Sequence, residues 1–499
     1  MRNIIRILFG LSILLFTSCH HDDVDPIRFT DNISTVKVYA DATDASITFE
    51  ADKIWTASTT NDWITISTTS GSIGSSTLKA TLAVNYTGTS RTGTVNILCE
   101  GNTYPVSIVQ DAVDKSGNKP EPVPDLANRT VLAYIIAENS LSTPGIYYEF
   151  AKKDIEEMKQ GITNMPNNDN LIVYVDDLSN PRILHLYKSG TTARCDTVYQ
   201  YTENKISTDP AVFQQVLNYT IDNYPAKNYG LVMWSHGNGW LPATQKVDTR
   251  MIGIDNGMDN TSDTGPEMDI TDMASVLNTV IANKTKSKFD FILFDACFMQ
   301  GVEVAYELRN CANYIVGSPT EIPGPGAPYQ NMIAPFFATT FDANSMVNAY
   351  YNYYINDATY GAAISAFKCS EMENLAAATA TALKTISDFT FSKGDVSYYC
   401  SAPSSSLPYY YDINSFMKKK LSDNNYATWK KSLDSAVPYK NTTSWVFSSY
   451  IYGKWNIDTT TYCGACFYLP KTTNKSTWNT YFKTLGWYSA AGWSSVNWQ

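Results

Sequence analysis

The chain has 499 residues, 44% of them hydrophobic, enough for two or three globular units. With 37 Lys and Arg against 48 Asp and Glu, its net charge is −11, and no basic run occurs. That balance excludes binding along a nucleic-acid backbone. The nine cysteines are widely scattered, which excludes a dense disulfide scaffold.

The first 18 residues have the pattern of an export signal. Arg2 and Arg6 give a positive start, and Ile7 to Phe16 is apolar but too short to span a bilayer. Thr17-Ser18-Cys19 follows, then the polar His20-His21-Asp22-Asp23. This resembles a bacterial lipoprotein signal, which implies lipidation of Cys19, a tether over 19–29, and export to the outer membrane or cell surface.

Residues 30–111 alternate apolar and polar positions in short runs, such as Trp63-Ile64-Thr65-Ile66-Ser67 and Thr94-Val95-Asn96-Ile97-Leu98, separated by Gly, Ser, Asn and Thr. The spacing predicts a small all-β sandwich. Trp55-Thr56-Ala57-Ser58, Asn61-Asp62-Trp63-Ile64, Arg91-Thr92-Gly93-Thr94 and Val106-Ser107-Ile108-Val109-Gln110 resemble a BACON module. That resemblance implies an immunoglobulin-like fold with either a spacer role or carbohydrate binding. Trp55 and Trp63 lie in strand-like runs, which favours core packing over sugar stacking. A Pro-rich linker is expected over 112–127.

From Asn128 the pattern changes to alternating strands and helices. Buried strands are expected at Thr130–Ile136, Leu171–Val175, Ile183–Tyr187, Tyr229–Trp234 and Phe289–Phe294. Helices are expected at Tyr147–Lys159, Ala211–Asn223, Asp269–Ala282, Val302–Leu308 and Met372–Leu383, with further strands at Gly361–Phe367 and Ala465–Leu469. Such alternation predicts an α/β unit over 128–499, a mostly parallel sheet flanked by helices.

Two of these strands end in reactive residues. One runs into Ser235-His236-Gly237, the other into Asp295-Ala296-Cys297. Ligand sites in parallel α/β sheets form beyond the carboxyl ends of strands. A cysteine nucleophile needs thiolate character, which a neighbouring imidazole promotes. Outside the first 21 residues the only histidines are His185 and His236, and His185 lies inside a strand. Cys297 is therefore the candidate nucleophile and His236 the candidate base. The N–H groups of Gly237 and Cys297 are candidates for an oxyanion hole. Cys463-Gly464-Ala465-Cys466 has no second ligand pair nearby and runs into a strand, which favours a structural role.

The blocks 229–240, 289–299 and Gly317-Ser318 through Glu321 to Gly324-Pro325-Gly326 resemble the clostripain family of cysteine peptidases. The resemblance runs from Asn128 to the C-terminus. It implies a caspase-like fold, His236 and Cys297 as the dyad, and cleavage of proteins or peptides after Arg or Lys. Asp295, with Glu321 as second candidate, would supply the acidic pocket that pairs such a cation. Asn238 and Ala327 depart from the residues expected there, Gly and Trp. Relatives mature by cutting between base and nucleophile, which singles out Arg250, then Lys246, in the polar stretch Leu241–Pro266.

No cofactor is expected. Some relatives respond to calcium, but no EF-hand-type loop occurs, and Asp255, Asp259 and Asp263 are expected to be a solvated acidic loop. Two other functions remain open at this point. One is a glycan-binding or glycan-degrading surface lipoprotein, although no carboxylate pair stands out as well as His236 and Cys297. The other is an inactive peptidase fold kept for binding.

Overall fold

The computed structural model describes residues 25–29, 35–38, 42–83, 85, 89–111, 126–142, 149–241, 252–257, 263, 265–392, 394–399, 410–471, 474 and 476–498. The chain divides into two compact units, residues 1–115 and 116–499.

In the first unit β1 (Ile27–Phe29), β2 (Thr35–Val38), β3 (Asp44–Ala51), β4 (Trp55–Thr59), β5 (Ile64–Ile66), β6 (Ser70–Gly71), β7 (Gly74–Leu82), β8 (Arg91–Cys99) and β9 (Asn102–Gln110) form two sheets. Their orders are β1-β3-β7-β5 and β2-β9-β8-β4-β6. Alternation along each strand sends Ile47, Phe49, Leu78, Val95, Ile97, Val106 and Ile108 into one shared core. Trp55 is buried there, its Nε1 donating to Ser76 Oγ at 3.2 Å. The Arg91 guanidinium lies 4.3 Å above the half-buried Trp63 ring. Trp55 thus packs in the core from its strand, whereas Trp63, expected in a strand, lies in the turn before β5 and packs against the core from there. β1 lies within the stretch expected to be tether, so the sandwich begins before residue 30.

The second unit is built on β10 (Ala127–Ile136), β11 (Asn170–Asp176), β12 (Arg182–Ser189), β13 (Thr192–Gln200), β14 (Ala226–Trp234), β15 (Phe289–Asp295), β16 (Ala312–Gly317), β17 (Gly361–Lys368), β19 (Tyr439–Ser448) and β20 (Gly453–Asn456). They form one sheet of order β13-β12-β11-β10-β14-β15-β16-β17-β19-β20. The short β18 (Tyr410–Asp412) pairs separately with β21 (Cys466–Tyr468).

The sheet is mixed. Its five central strands, β11 to β16 in sheet order, run parallel, and both margins are antiparallel. The parallel expectation therefore holds for β14 and β15, which lead into His236 and Cys297, while antiparallel strands close each side. Side chains of β10 alternate between the two faces. Val131, Ala133 and Ile135 join a core with α1 (Phe150–Gly161), α5 (Tyr329–Phe336) and α6 (Ala343–Tyr354). Tyr134 points the other way and meets Phe213 of α2 (Pro210–Asn223) edge-on. α3 (Ile270–Val280) packs on α2 and on α4 (Val302–Glu307) on that same side. Both faces are thus covered by helices, as the apolar runs of β10, β14 and β15 require.

His185 serves the structure, as its strand position suggested. Its ring stacks on Tyr187 at 4.6 Å and its Nε2 is 3.0 Å from Asn170 Oδ1. Cys463 and Cys466 are buried thiols beside the small sheet. Among the described residues no helix is long and apolar enough to cross a membrane.

Candidate active site

β14 and β15 are neighbours in the sheet and parallel, with Trp234 opposite Asp295. Ser235 N donates to Asp295 O at 3.4 Å, extending the pairing past the strand end. His236 and Cys297 each lie two residues beyond that pair, at the carboxyl edge where such sheets bind ligands. Glycine at 237 makes the approach possible. A Cβ there would stand 2.8 Å from Cys297 O, 2.9 Å from Ala296 Cβ and 3.3 Å from Cys297 N.

The main-chain N–H of Ile322 points at Cys297 Sγ, with N to S 3.3 Å. Such a donor favours the charged thiolate. Phe298, the next residue, has φ +60°, strained for a bulky side chain. It is held there by its N–H on Thr320 O at 2.9 Å and by its ring against Tyr410 at 5.9 Å. Cys297 thus stands on a sharp turn fixed by the segment that includes Glu321.

The ring of His236 is anchored from two distant segments. Its Nε2 lies 3.0 Å from Ser140 Oγ and 3.5 Å from Asp263 Oδ1. Ser140 binds Asp263 twice, through N to Oδ1 at 2.9 Å and Oγ to Oδ2 at 2.8 Å. Burial alone would raise the carboxyl pKa of Asp263. The hydrogen bond and charge of His236, with the two donations from Ser140, outweigh it and hold the group well below the usual range. Ser140 follows β10 through Glu138 and Asn139, and Asn139 Nδ2 is fixed by Ile136 O at 3.0 Å and Ile254 O at 2.8 Å. Neither Ser140 nor Asp263 is marked in the sequence as a partner of His236. The position of Ser140 past a buried parallel strand is the signal that was there to be used.

Asp295 is buried below this edge. Its Oδ2 accepts from Ala327 N at 2.9 Å and Tyr329 Oη at 2.8 Å, while Oδ1 has no hydrogen-bond partner among the described residues. Burial, partly offset by those two donors, pushes it up to about 6. A second carboxyl that sequence inspection missed lies beside it. A Cβ on Gly326 would reach both Asp295 Oδ2, at 2.7 Å, and Asp154 Oδ2, at 3.3 Å. Asp154 comes from α1 and accepts from Trp234 Nε1 at 2.6 Å. Burial, then the proximity of Asp295, raises its pKa well above the ordinary value. Glu321 is also buried, but its Oε1 is taken by Ser449 N, at 3.0 Å, and Ser449 Oγ. It ties the turn beneath Cys297 to the end of β19.

Asp255 and Asp263, expected in a solvated loop, are both drawn into the fold. Asp255 is buried with Glu138 and Asp176, the three offering oxygens within 4.8 Å of one another. Among the described residues this is the one grouping that converges closely enough for a metal ion. Burial and the neighbouring Glu138 favour protonation and push Asp176 up to about 10. Asp259, Cys19, Lys246 and Arg250 lie outside the described residues.

The clostripain family model matches residues 133–498. The chain belongs to the clostripain family. A viral BACON domain model matches residues 27–113. Clostripain from Hathewaya histolytica is 29% identical over 251 residues, a match covering 45% of this chain and 44% of that relative. A secreted C11 cysteine protease from Bacteroides thetaiotaomicron, solved with an irreversible peptide inhibitor, is 36% identical. It aligns with a TM-score of 0.64 over 74% of this chain and 100% of its own. An inactive zymogen C11 protease from Parabacteroides distasonis is 30% identical, with a TM-score of 0.62 over 74% and 99%. These clostripain-family likenesses cover the mixed sheet and its helices and support the caspase-like architecture.

Proposed function

We propose that this protein is an exported, lipid-anchored cysteine endopeptidase that cleaves after Arg or Lys, with Cys297 as nucleophile and His236 as base. The register of β14 with β15 carries the reading, because it delivers imidazole and thiol to one sheet edge. His236 takes the Cys297 proton, and the thiolate attacks the scissile carbonyl. The N–H groups of Gly237 and Cys297 hold the oxyanion. Collapse releases the new amine with the proton from His236, and water, deprotonated by His236, hydrolyses the thioester.

Specificity comes from Asp295, backed by Asp154. Two buried carboxyls held close resist ionising together, and an entering guanidinium or ammonium offsets their repulsion. Glu321 contributes by holding the turn rather than by meeting substrate. Maturation is by cleavage after Arg250, or after Lys246. The zymogen form of the Parabacteroides relative makes a processed state pertinent here. Cys19 carries the lipid, residues 112–127 link the units, and the sandwich acts as a spacer or binds carbohydrate.

The test is a peptide screen with wild type, Cys297→Ala and His236→Ala, each checked for folding by circular dichroism. Either substitution is expected to lower kcat/KM on basic substrates on the order of 10,000-fold or more. A folded variant that keeps wild-type activity would overturn the mechanism.

A further inference from the structure

Ser140 and Asp263 reach His236 from segments far apart in sequence, and the chemistry of their contacts settles where hydrogens go. An ionised carboxylate only accepts, so the Ser140 hydroxyl spends its one hydrogen on Asp263 Oδ2, 2.8 Å away. The same hydroxyl oxygen lies 3.0 Å from His236 Nε2. With its hydrogen already committed, the oxygen can only accept from the ring. Nε2 must therefore carry a hydrogen, and Nδ1 is the nitrogen that takes up the Cys297 proton.

We propose that Ser140 and Asp263 form a positioning relay, Nε2–H to Ser140 Oγ–H to Asp263, that fixes the tautomer of His236 and stabilises its protonated form. The proposal rests on the peptidase reading of Cys297 and His236. It gives two residues a role that a Cys–His dyad alone does not assign. In the transfer, the S–H bond of Cys297 breaks and an Nδ1–H bond forms. The Nε2 hydrogen stays in place, and the imidazolium charge is met by Asp263, whose Oδ1 is 3.5 Å from Nε2. The depressed acidity range of Asp263 is the reciprocal of that attraction. Asn139 supports the geometry by tying the Ser140 turn to Ile136 and Ile254. Gly253 N donates to His236 O at 3.0 Å, linking the base to the segment that leads to Asp263.

Among the described residues, Asp263 stands 3.5 Å from His236 Nε2, and Cys297 follows the neighbouring strand β15. Behind Asn139 lies the buried cluster of Glu138, Asp176 and Asp255. That cluster is common to wild type and to the variants below, so its influence cancels in the comparison.

The experiment uses full-length protein with 15N-labelled histidine in a Cys297→Ala background, with and without Asp263→Asn or Ser140→Ala. The His236 signals are assigned by their loss in His236→Ala. Neutral His236 is expected as the Nε2–H tautomer, with the Nδ1–H form gaining population in Ser140→Ala. The His236 titration midpoint is expected to fall by about one unit in Asp263→Asn, since an anion near the ring favours the imidazolium. With Cys297 restored, Asp263→Asn is expected to lower kcat on the order of 100-fold, with KM within about threefold. The acidic limb of its pH profile should move down with the NMR midpoint. An Nδ1–H tautomer in the unsubstituted ring, an unmoved midpoint, or activity lost equally at every pH would each overturn the relay. If Asp263→Asn does not fold, Ser140→Ala decides by the tautomer alone. A normal tautomer and midpoint in a wild-type enzyme that cleaves no peptide would instead overturn the peptidase reading.

Discussion

Asp295 has one oxygen committed to Ala327 and Tyr329 and one without a partner among the described residues. Replacing it by Asn keeps the size and removes the charge. Loss of a carboxylate that pairs a buried cation costs on the order of 2–5 kcal/mol, so Asp295→Asn is expected to lower kcat/KM on Arg and Lys peptides while sparing neutral ones. Equal losses on both substrate sets in a steady-state comparison would assign the pocket elsewhere. Asp176 poses a different question, since its carboxyl is pushed up to about 10 mainly by burial. The folded protein holds a proton there that the unfolded chain releases near pH 4. That contribution to stability is full below about pH 4 and is lost as pH rises toward 10. Asp176→Asn is therefore expected to flatten the decline of stability between pH 5 and pH 9, measured by urea midpoints. His236 and Cys297 were legible as candidates because histidine is scarce and both residues follow apolar strands. Ser140 and Asp263 were not, because each is a common polar residue that meets His236 only through folding, 123 residues apart from one another. Asp154 was hidden for a further reason: it is one acidic residue on a charged helix, and only burial distinguishes it.

At the scale of elements, the central strands announced themselves as unbroken apolar runs, since a strand covered on both faces has no polar side to show. β13, β19 and β20 did not, because they lie at the margins and carry Thr, Lys, Asn and Arg at half-exposed positions. Their pairing depends on neighbours that only the fold supplies. At the opposite end of the sheet from the dyad, Arg129 gathers three elements. It is almost fully buried at the start of β10, pairs with Asp290 of β15 at 2.7 Å, and donates to Phe336 O at 3.0 Å and Ala338 O at 2.7 Å after α5. Removing the cation leaves Asp290 and two carbonyls without their donor. Breaking such a buried pair costs about 3–5 kcal/mol. Arg129→Leu is expected to lower the denaturant midpoint accordingly, yet to leave kcat/KM near wild type where the protein is folded. A variant as stable as wild type would show that water or rearrangement replaces the guanidinium.

For the whole molecule, the two compact units predict separability. Residues 126–499 expressed alone are expected to fold and to cleave basic peptides within about twofold of the full chain, and a larger loss would give the sandwich a part in catalysis. Intact-mass analysis of fresh wild type beside Cys297→Ala checks processing. Two fragments divided after Arg250 in the first and a single chain in the second is the expected pattern. Strand order has a further consequence for how the chain is made. β10 is the first strand of its sheet to be synthesised, yet it lies in the middle, between β11 and β14. Asn228 of β14 closes on Asn128 of β10 from 100 residues further on. A chain emerging N-terminus first must carry this apolar strand, with one edge open, until β14 follows. The export route therefore matters for yield: threaded outward unfolded, the chain meets its partners in order, whereas fragments ending before Trp234 keep an uncapped hydrophobic edge and are the ones that should aggregate.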